Sequence, residues 1–196
     1  ASRTPERRII TIGRFSVNKR LDLLLDAMAA LVKRNPDWHL DVVGAESDLD
    51  AADVRREIAA RSLEASVTLT ISPDNHAIRG IIAKASLMAS ASEYEGFGIV
   101  ALEAMSAGLQ PILNTNEAYR ALAGRHEEII LADFTKPEFA ADAIEKAYRD
   151  VTVEGSSLRE SLMQAAHAYS WNAVAERYID LYRSIATSRP SDRMLA

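Results

Sequence analysis

Along the chain, short runs of β-branched and apolar residues alternate with longer stretches in which apolar side chains recur every three to four positions. The first pattern suits strands buried on both faces, the second amphipathic helices. "RRIITIG" (7–13) and "WHLDVVG" (38–44) read as the first two strands, each closing on a glycine. Between them, a helix over about 18–34 gathers Leu21, Leu24, Leu25, Met28 and Leu31 on one stripe. A polar helix over about 50–62 leads to the strand "VTLTI" (67–71), and "SPDNHAIRGIIAKA" starts as a turn and continues as a short helix. "SLMASAS" (86–92) is a buried strand, followed by a glycine-rich turn and a helix that begins near Phe97 and stops at Gly108. "LQPIL" (109–113) is the next strand, "NTNEAYR" the loop after it, and a weaker strand lies near 128–132. Helices over 136–150, 155–168 and 171–186 complete the pattern, and 187–196 reads as a frayed tail.

This order predicts an α/β fold: a doubly wound, Rossmann-like parallel sheet of about six strands with helices on both faces, formed by residues 1–196 as one domain. In such sheets ligands bind beyond the carboxyl ends of the strands. The residues just after each strand are therefore the candidates for chemistry.

Composition narrows the classes. The chain of 196 residues is 48% apolar and 26% charged, enough for a real core, and no run approaches the roughly 20 apolar residues of a bilayer span. A net charge of -5 without a long basic run argues against nucleic acid as a partner. Zero cysteines exclude disulfides and thiolate chemistry and suit a cytoplasmic protein. The opening "ASRTPERRIITIG" passes from a polar arm straight into a strand, as at an interdomain boundary, so the chain is expected to be half of a longer protein.

Three places stand out after the strands. In "GRFSVNK", Arg14 and Lys19 fit a diphosphate, Arg as a planar fork and Lys as a mobile point charge; the same pair also fits exposed cations that merely flank a helix start. In "EGFGIV", glycines let the backbone approach a ligand and the helix start offers free amides to an anion, although a tight strand-to-helix turn would look the same. The third is the pair Glu95 and Glu103, at most ~12 Å apart at the rise of a helix. That is too far to share a proton or grip one metal, which argues against a paired-carboxylate mechanism. The span suits an elongated ligand with hydroxyls at both ends and an anion between them, the layout of a nucleotide sugar. Taken singly, Glu103 also fits an exposed helix position and Glu95 an acidic residue favoured by the helix dipole.

Histidines 39, 76, 126 and 167 lack metal-ligand spacing, and "SDLD" (47–50) reads as the cap of the next helix. No metal or cofactor is assigned.

Together these segments resemble a known family. "EGFGIVALEAMSAGLQPI" resembles the E-x7-E signature of the retaining glycosyltransferases of family 4, which have the two-domain GT-B fold; "IGRFSVNKRLDLLLDAM" is similar to their glycine-arginine-x4-lysine segment and "YSWNAVAERYIDLYRSI" to their closing helix. The resemblance runs in order from about residue 8 to 186. It implies the C-terminal, donor-binding domain of such an enzyme, with the N-terminal acceptor domain outside this chain. Arg14 and Lys19 would then hold the donor diphosphate and stabilise the leaving group. Glu95 would take hexose hydroxyls, the amides of Gly96, Phe97, Gly98, Ile99 and Val100 would face the hexose and phosphates, and Glu103 would take the ribose. Transfer with retention and without a bound metal is implied.

Within the family the chain looks most like bacterial α-mannosyltransferases that use GDP-mannose to extend a lipid-diphosphate-linked glycan for exopolysaccharide, with a UDP-sugar as the alternative donor. A cytoplasmic place at the inner face of the membrane follows. The chain departs from the family at Arg20, where glycine is common, at "GAESDL", at "NTNEAYR", which lacks a double glycine, and at "HEEIIL".

Two other readings compete. A non-catalytic interaction domain with a residual pocket would be expected to have lost some of Arg14, Lys19, Glu95 and Glu103, and all four are present. A dinucleotide oxidoreductase would carry a glycine fingerprint after the first strand, where "GRFSVN" stands. The closing helix bears an apolar and aromatic stripe of Trp171, Val174, Tyr178, Leu181 and Tyr182. In the family that end of the chain crosses to the other domain, so part of the stripe is expected to be exposed or covered by a neighbouring molecule.

Overall fold

The run of β-branched residues in "RIITI" forms β1 (Arg8–Ile12), the first of six parallel strands, in a computed structural model that describes residues 4–187. The tail from 188 onward, predicted as frayed, lies outside the described residues. The strands are β1, β2 (His39–Gly44), β3 (Val67–Ile71), β4 (Leu87–Ser90), β5 (Gln110–Asn114) and β6 (Ile130–Ala132), in the spatial order β3-β2-β1-β4-β5-β6. The chain winds outward from β1 to β3, then returns to lay β4 on the other side of β1, and Ile9 pairs with both Leu40 and Leu87. The strand order thus reverses between β1 and β4, where an open α/β sheet has its crevice.

The helices are α1 (Leu21–Arg34), α2 (Ala51–Ala60), α3 (Asn75–Ile82), α4 (Ile99–Ser106), α5 (Glu117–Ala123), α6 (Pro137–Glu154), α7 (Ser156–His167) and α8 (Trp171–Thr187). Because successive strand side chains point to opposite faces, neighbouring residues feed two cores. Ile9, Val42 and Ile112 pack with Leu24, Met28 and Leu31 of α1 and Ile144 of α6. Ile10, Val43 and Leu113 pack with Leu102 and Met105 of α4, Leu122 of α5 and Leu162 of α7. A sheet covered on both faces needs continuous apolar strands, and "LMAS" of β4 is buried at every position.

Two predictions of local structure need correction. The helix expected over 18–34 is broken: Val17–Lys19 form a single 3-10 turn, Arg20 adopts a left-handed φ of 46°, and α1 starts at Leu21. A side chain in that conformation costs on the order of 1–2 kcal/mol. Arg20 is braced there by two bonds to Asp22 at 2.9 and 3.1 Å and by Glu93 at 3.6 Å. The loop expected at "NTNEAYR" is the start of α5, capped by the Asn116 side chain on the amide of Tyr119 at 2.9 Å. As expected, "SDLD" caps: Asp50 and Asp53 form a reciprocal capping box at the start of α2.

The closing helix leaves its stripe in the open. Trp171 is 86% exposed, Tyr182 65% and Leu181 52%. No described helix is long and apolar enough to cross a membrane.

Candidate functional site

The carboxyl ends of β1 and β2 are stitched together so closely that only glycine fits between them. The Phe15 amide donates to the Ala45 carbonyl at 2.7 Å, and a Cβ on Gly44 would lie 1.7 Å from the Gly13 carbonyl oxygen. Gly13 follows β1, and Phe15 is buried two positions on, so Arg14 between them is turned out to solvent. Its positive charge lies near Asp48, whose carboxyl is held below the ordinary value, chiefly by the backbone amide of Val17 and to a smaller degree by Arg14.

The 3-10 turn brings β1 to β4. Asn18 mimics a strand partner: its side chain donates to the Tyr94 carbonyl at 2.9 Å and accepts from the Tyr94 amide at 3.1 Å, while its own carbonyl accepts from the Glu93 amide at 2.9 Å. The next residues on each side, Lys19 and Glu95, consequently meet. Lys19 Nζ is 2.6 Å from Glu95 Oε1 across 76 residues of sequence, both side chains being largely buried. Arg14, Lys19 and Ser90 line one small cavity of about 10 Å³ at the edge between β1 and β4.

A third group reaches the same carboxylate oxygen. The Tyr119 hydroxyl is 3.2 Å from Glu95 Oε1 and 2.9 Å from Ser90 Oγ, which in turn is 3.0 Å from Ser92 Oγ. Burial pushes the Tyr119 phenol well above its usual range, with the nearby Glu95 charge adding to it and Ser90 opposing, so it remains a hydrogen-bond donor. The sequence alone does not single out Tyr119, because "NTNEAYR" reads as a loop. The signal was present: an Asn-Glu helix start, then Tyr119, Leu122 and Ala123 at helical spacing.

The glycine-rich turn starts α4 two residues later than expected. Gly98 is the N-cap, at φ 86°, and Ile99 is the first helical residue. Among the described residues, the amides of Gly96, Phe97, Gly98, Ile99 and Val100 have no acceptor, so an anion approaching this helix start meets unpaired donors. Phe97 stands half exposed, its ring edge-on to Tyr169 at 5.9 Å, and Tyr169 bonds His126 at 2.8 Å.

The predicted residues thus separate. Lys19 and Glu95 are in direct contact, Arg14 lines the same cavity as Lys19, and Gly96 to Val100 follow Glu95 without a break. The Glu103 side chain is exposed on the second turn of α4 and bonds the side chain of none of the others. Among the described residues, no group of three or more His, Asp or Glu side chains is arranged to hold a metal.

Comparison with known proteins agrees with this geometry. The sequence profile of the family described as Glycosyl transferases group 1 matches residues 1–168. The chain is 37% identical over 179 residues, 91% of its length and 47% of the relative's, to a GDP-mannose:cellobiosyl-diphosphopolyprenol alpha-mannosyltransferase of Xanthomonas oryzae pv. oryzae. Its fold superposes on the sucrose-phosphate synthase of Thermosynechococcus elongatus with a TM-score of 0.77 and 25% identity, covering 94% of this chain and 46% of that one. It also superposes on the separately crystallised C-terminal domain of a glycosyl transferase group 1 family protein from Francisella tularensis, with a TM-score of 0.61 and 24% identity, covering 89% of this chain and 88% of that one. The chain spans about half the length of the curated relatives it matches. With a parallel sheet of the same kind and a profile match over most of its length, the chain belongs to the group 1 glycosyltransferase family.

Proposed function

We propose that this chain is the donor-binding half of a retaining α-mannosyltransferase that takes GDP-mannose and extends a lipid-linked glycan acceptor in exopolysaccharide biosynthesis. The observation that carries the reading is the contact between Lys19 and Glu95, which joins the glycine-arginine-x4-lysine and E-x7-E segments at the point where the strand order reverses. The donor preference is supported by the identity to the Xanthomonas mannosyltransferase.

In this reading the donor lies along the edge between β1 and β4. The bond from the anomeric carbon to the diphosphate breaks, its electron pair leaving on a phosphate oxygen, while an acceptor hydroxyl oxygen bonds the anomeric carbon on the same face and passes its proton to the departing diphosphate. Arg14, Lys19 and the unpaired amides from Gly96 to Val100 neutralise that charge as it develops. Lys19 can do so without releasing Glu95, since an ammonium has three protons to donate and Glu95 takes one. Glu95 accepts hexose hydroxyls, and Glu103, further along α4, accepts the ribose hydroxyls. The acceptor binds to a second domain outside this chain, on which the aromatic stripe of α8 packs, and the assembled enzyme works at the cytoplasmic face of the membrane.

Calorimetry with GDP-mannose, UDP-glucose, UDP-GlcNAc and the parent diphosphates tests the reading. GDP-mannose is expected to bind most tightly, and Arg14→Ala and Glu103→Ala to weaken every nucleotide. Tighter binding of a UDP-sugar would overturn the donor assignment. Failure of all nucleotides would favour a non-catalytic interaction domain, and full transferase activity from residues 1–196 alone would overturn the need for a second domain.

A further inference from the structure

We infer that Tyr119 is the positioning residue for Glu95: its hydroxyl holds the carboxylate in the orientation in which the other oxygen receives the hexose. The inference rests on the donor-binding reading above and adds to it a residue from α5, a helix absent from the predicted elements.

The case begins with what a buried phenol needs. Tyr119 is 1% exposed, so its hydroxyl has left water and must be paired inside the protein. It lies between Ser90 Oγ at 2.9 Å and Glu95 Oε1 at 3.2 Å. An ionised carboxylate can only accept, so the phenol donates to Glu95 and accepts from Ser90, which accepts in turn from Ser92 at 3.0 Å. The row of hydroxyls therefore has one direction, with every proton pointing toward Glu95. Packing alone would be served as well by phenylalanine; the oxygen is used for the carboxylate.

Tyr119 is itself held from the strand ends it serves. Asn114 at the end of β5 donates to the carbonyls of Ala91 and Ser92 at 3.1 and 3.2 Å. Asn116 donates to the Ser92 carbonyl at 3.0 Å while capping α5 on the Tyr119 amide. Thus "NTNEAY" ties the end of β4 to α5 through side chains. The same ring braces the next turn, since a Cβ on Gly98 would come within 2.9 Å of it.

The consequence falls on the two oxygens of Glu95. Oε1 accepts from both Lys19 and Tyr119, while among the described residues nothing bonds Oε2. Two donors converging on one oxygen hold the carboxylate's rotation, and Oε2 keeps its capacity for a sugar hydroxyl.

The test is Tyr119→Phe, which keeps the ring and removes the bond, with affinities for GDP-mannose and GDP measured side by side. GDP-mannose should bind about ten-fold more weakly, the scale of a lost hydrogen bond to a charged group, with GDP changed by less than about two-fold. Ser90→Ala should shift the same ratio by a smaller factor. An equal loss for both ligands would mean a merely structural role and would overturn the inference, as would no loss for either. If Glu95→Ala removes the mannose-dependent affinity and Tyr119→Phe does not, the donor reading stands and the positioning role falls. A crystal structure of Tyr119→Phe decides independently of ligand: Glu95 displaced from its place beside Lys19 supports the role, and Glu95 unmoved overturns it.

Discussion

Lys19 and Glu95, 76 residues apart in sequence, form an ion pair at 2.6 Å across the reversal point of the sheet, each side chain about one-fifth exposed. Partial burial weakens screening, so the pair should couple energetically. A double-mutant cycle with Lys19→Met and Glu95→Gln is expected to give an interaction energy of about 1 kcal/mol in urea unfolding. A value indistinguishable from zero would show that the contact does not stabilise the fold.

Arg20 sits in a left-handed conformation that favours glycine. Arg20→Ala and Arg20→Gly both lose the bonds to Asp22 and Glu93 and differ mainly in the backbone term. The alanine variant should therefore be less stable than the glycine variant by about 1 kcal/mol, read from their urea midpoints.

Gly98 combines a φ of 86° with a ring 2.9 Å from where a Cβ would be. Gly98→Ala should cost about 2 kcal/mol, from the left-handed penalty together with displacement of Tyr119. Gly96→Ala meets no atom within 4 Å at its Cβ and should cost much less. Thermal unfolding of the two variants makes the comparison.

His39 on β2 lies beside the bidentate pair of Arg8 and Asp41, whose bonds measure 2.7 and 2.8 Å. Burial first and the Arg8 charge second hold its imidazole below the ordinary 6.5, against the opposing pull of Asp41. As the pH falls below about 6.5 the unfolded chain takes up this proton before the folded one, so stability declines until the folded imidazole is protonated too. His39→Gln should flatten that part of a melting-temperature profile between about pH 8 and 5. An unchanged slope would assign the acid sensitivity to other groups.

Much of the fold was legible because its signals are local. Short runs of β-branched and apolar residues marked all six strands, and the capping role of "SDLD" followed from side-chain chemistry within a few residues. The break at Arg20 was not legible, since the helical stripe of Leu21, Leu24 and Leu25 lies wholly after it and the left-handed residue is braced in part from a distant segment by Glu93. Helix α5 is not legible in "NTNEAYR", since seven residues bearing two asparagines read as loop chemistry and its place depends on bonds to the segment after β4. The exposed stripe on α8 agrees with the expectation drawn from the resemblance to family 4, in which that end of the chain crosses to the other domain.

By itself, the sequence determined the parallel α/β class, the strand-turn-helix that carries Glu95, the separation that keeps Glu95 and Glu103 from acting as an acid/base pair, and the family. The first three depend on period or spacing along the chain, which backbone geometry converts directly into structure, and the family entered through the resemblance of three ordered motifs. Only the tertiary structure decided which groups meet. Reversal of strand order between β1 and β4 brought Lys19 to Glu95, and two asparagine side chains tied α5 to β4 and carried Tyr119 to the same oxygen. Contacts across tens of residues depend on how helices pack on the sheet, a property of the whole folded chain that no local window contains.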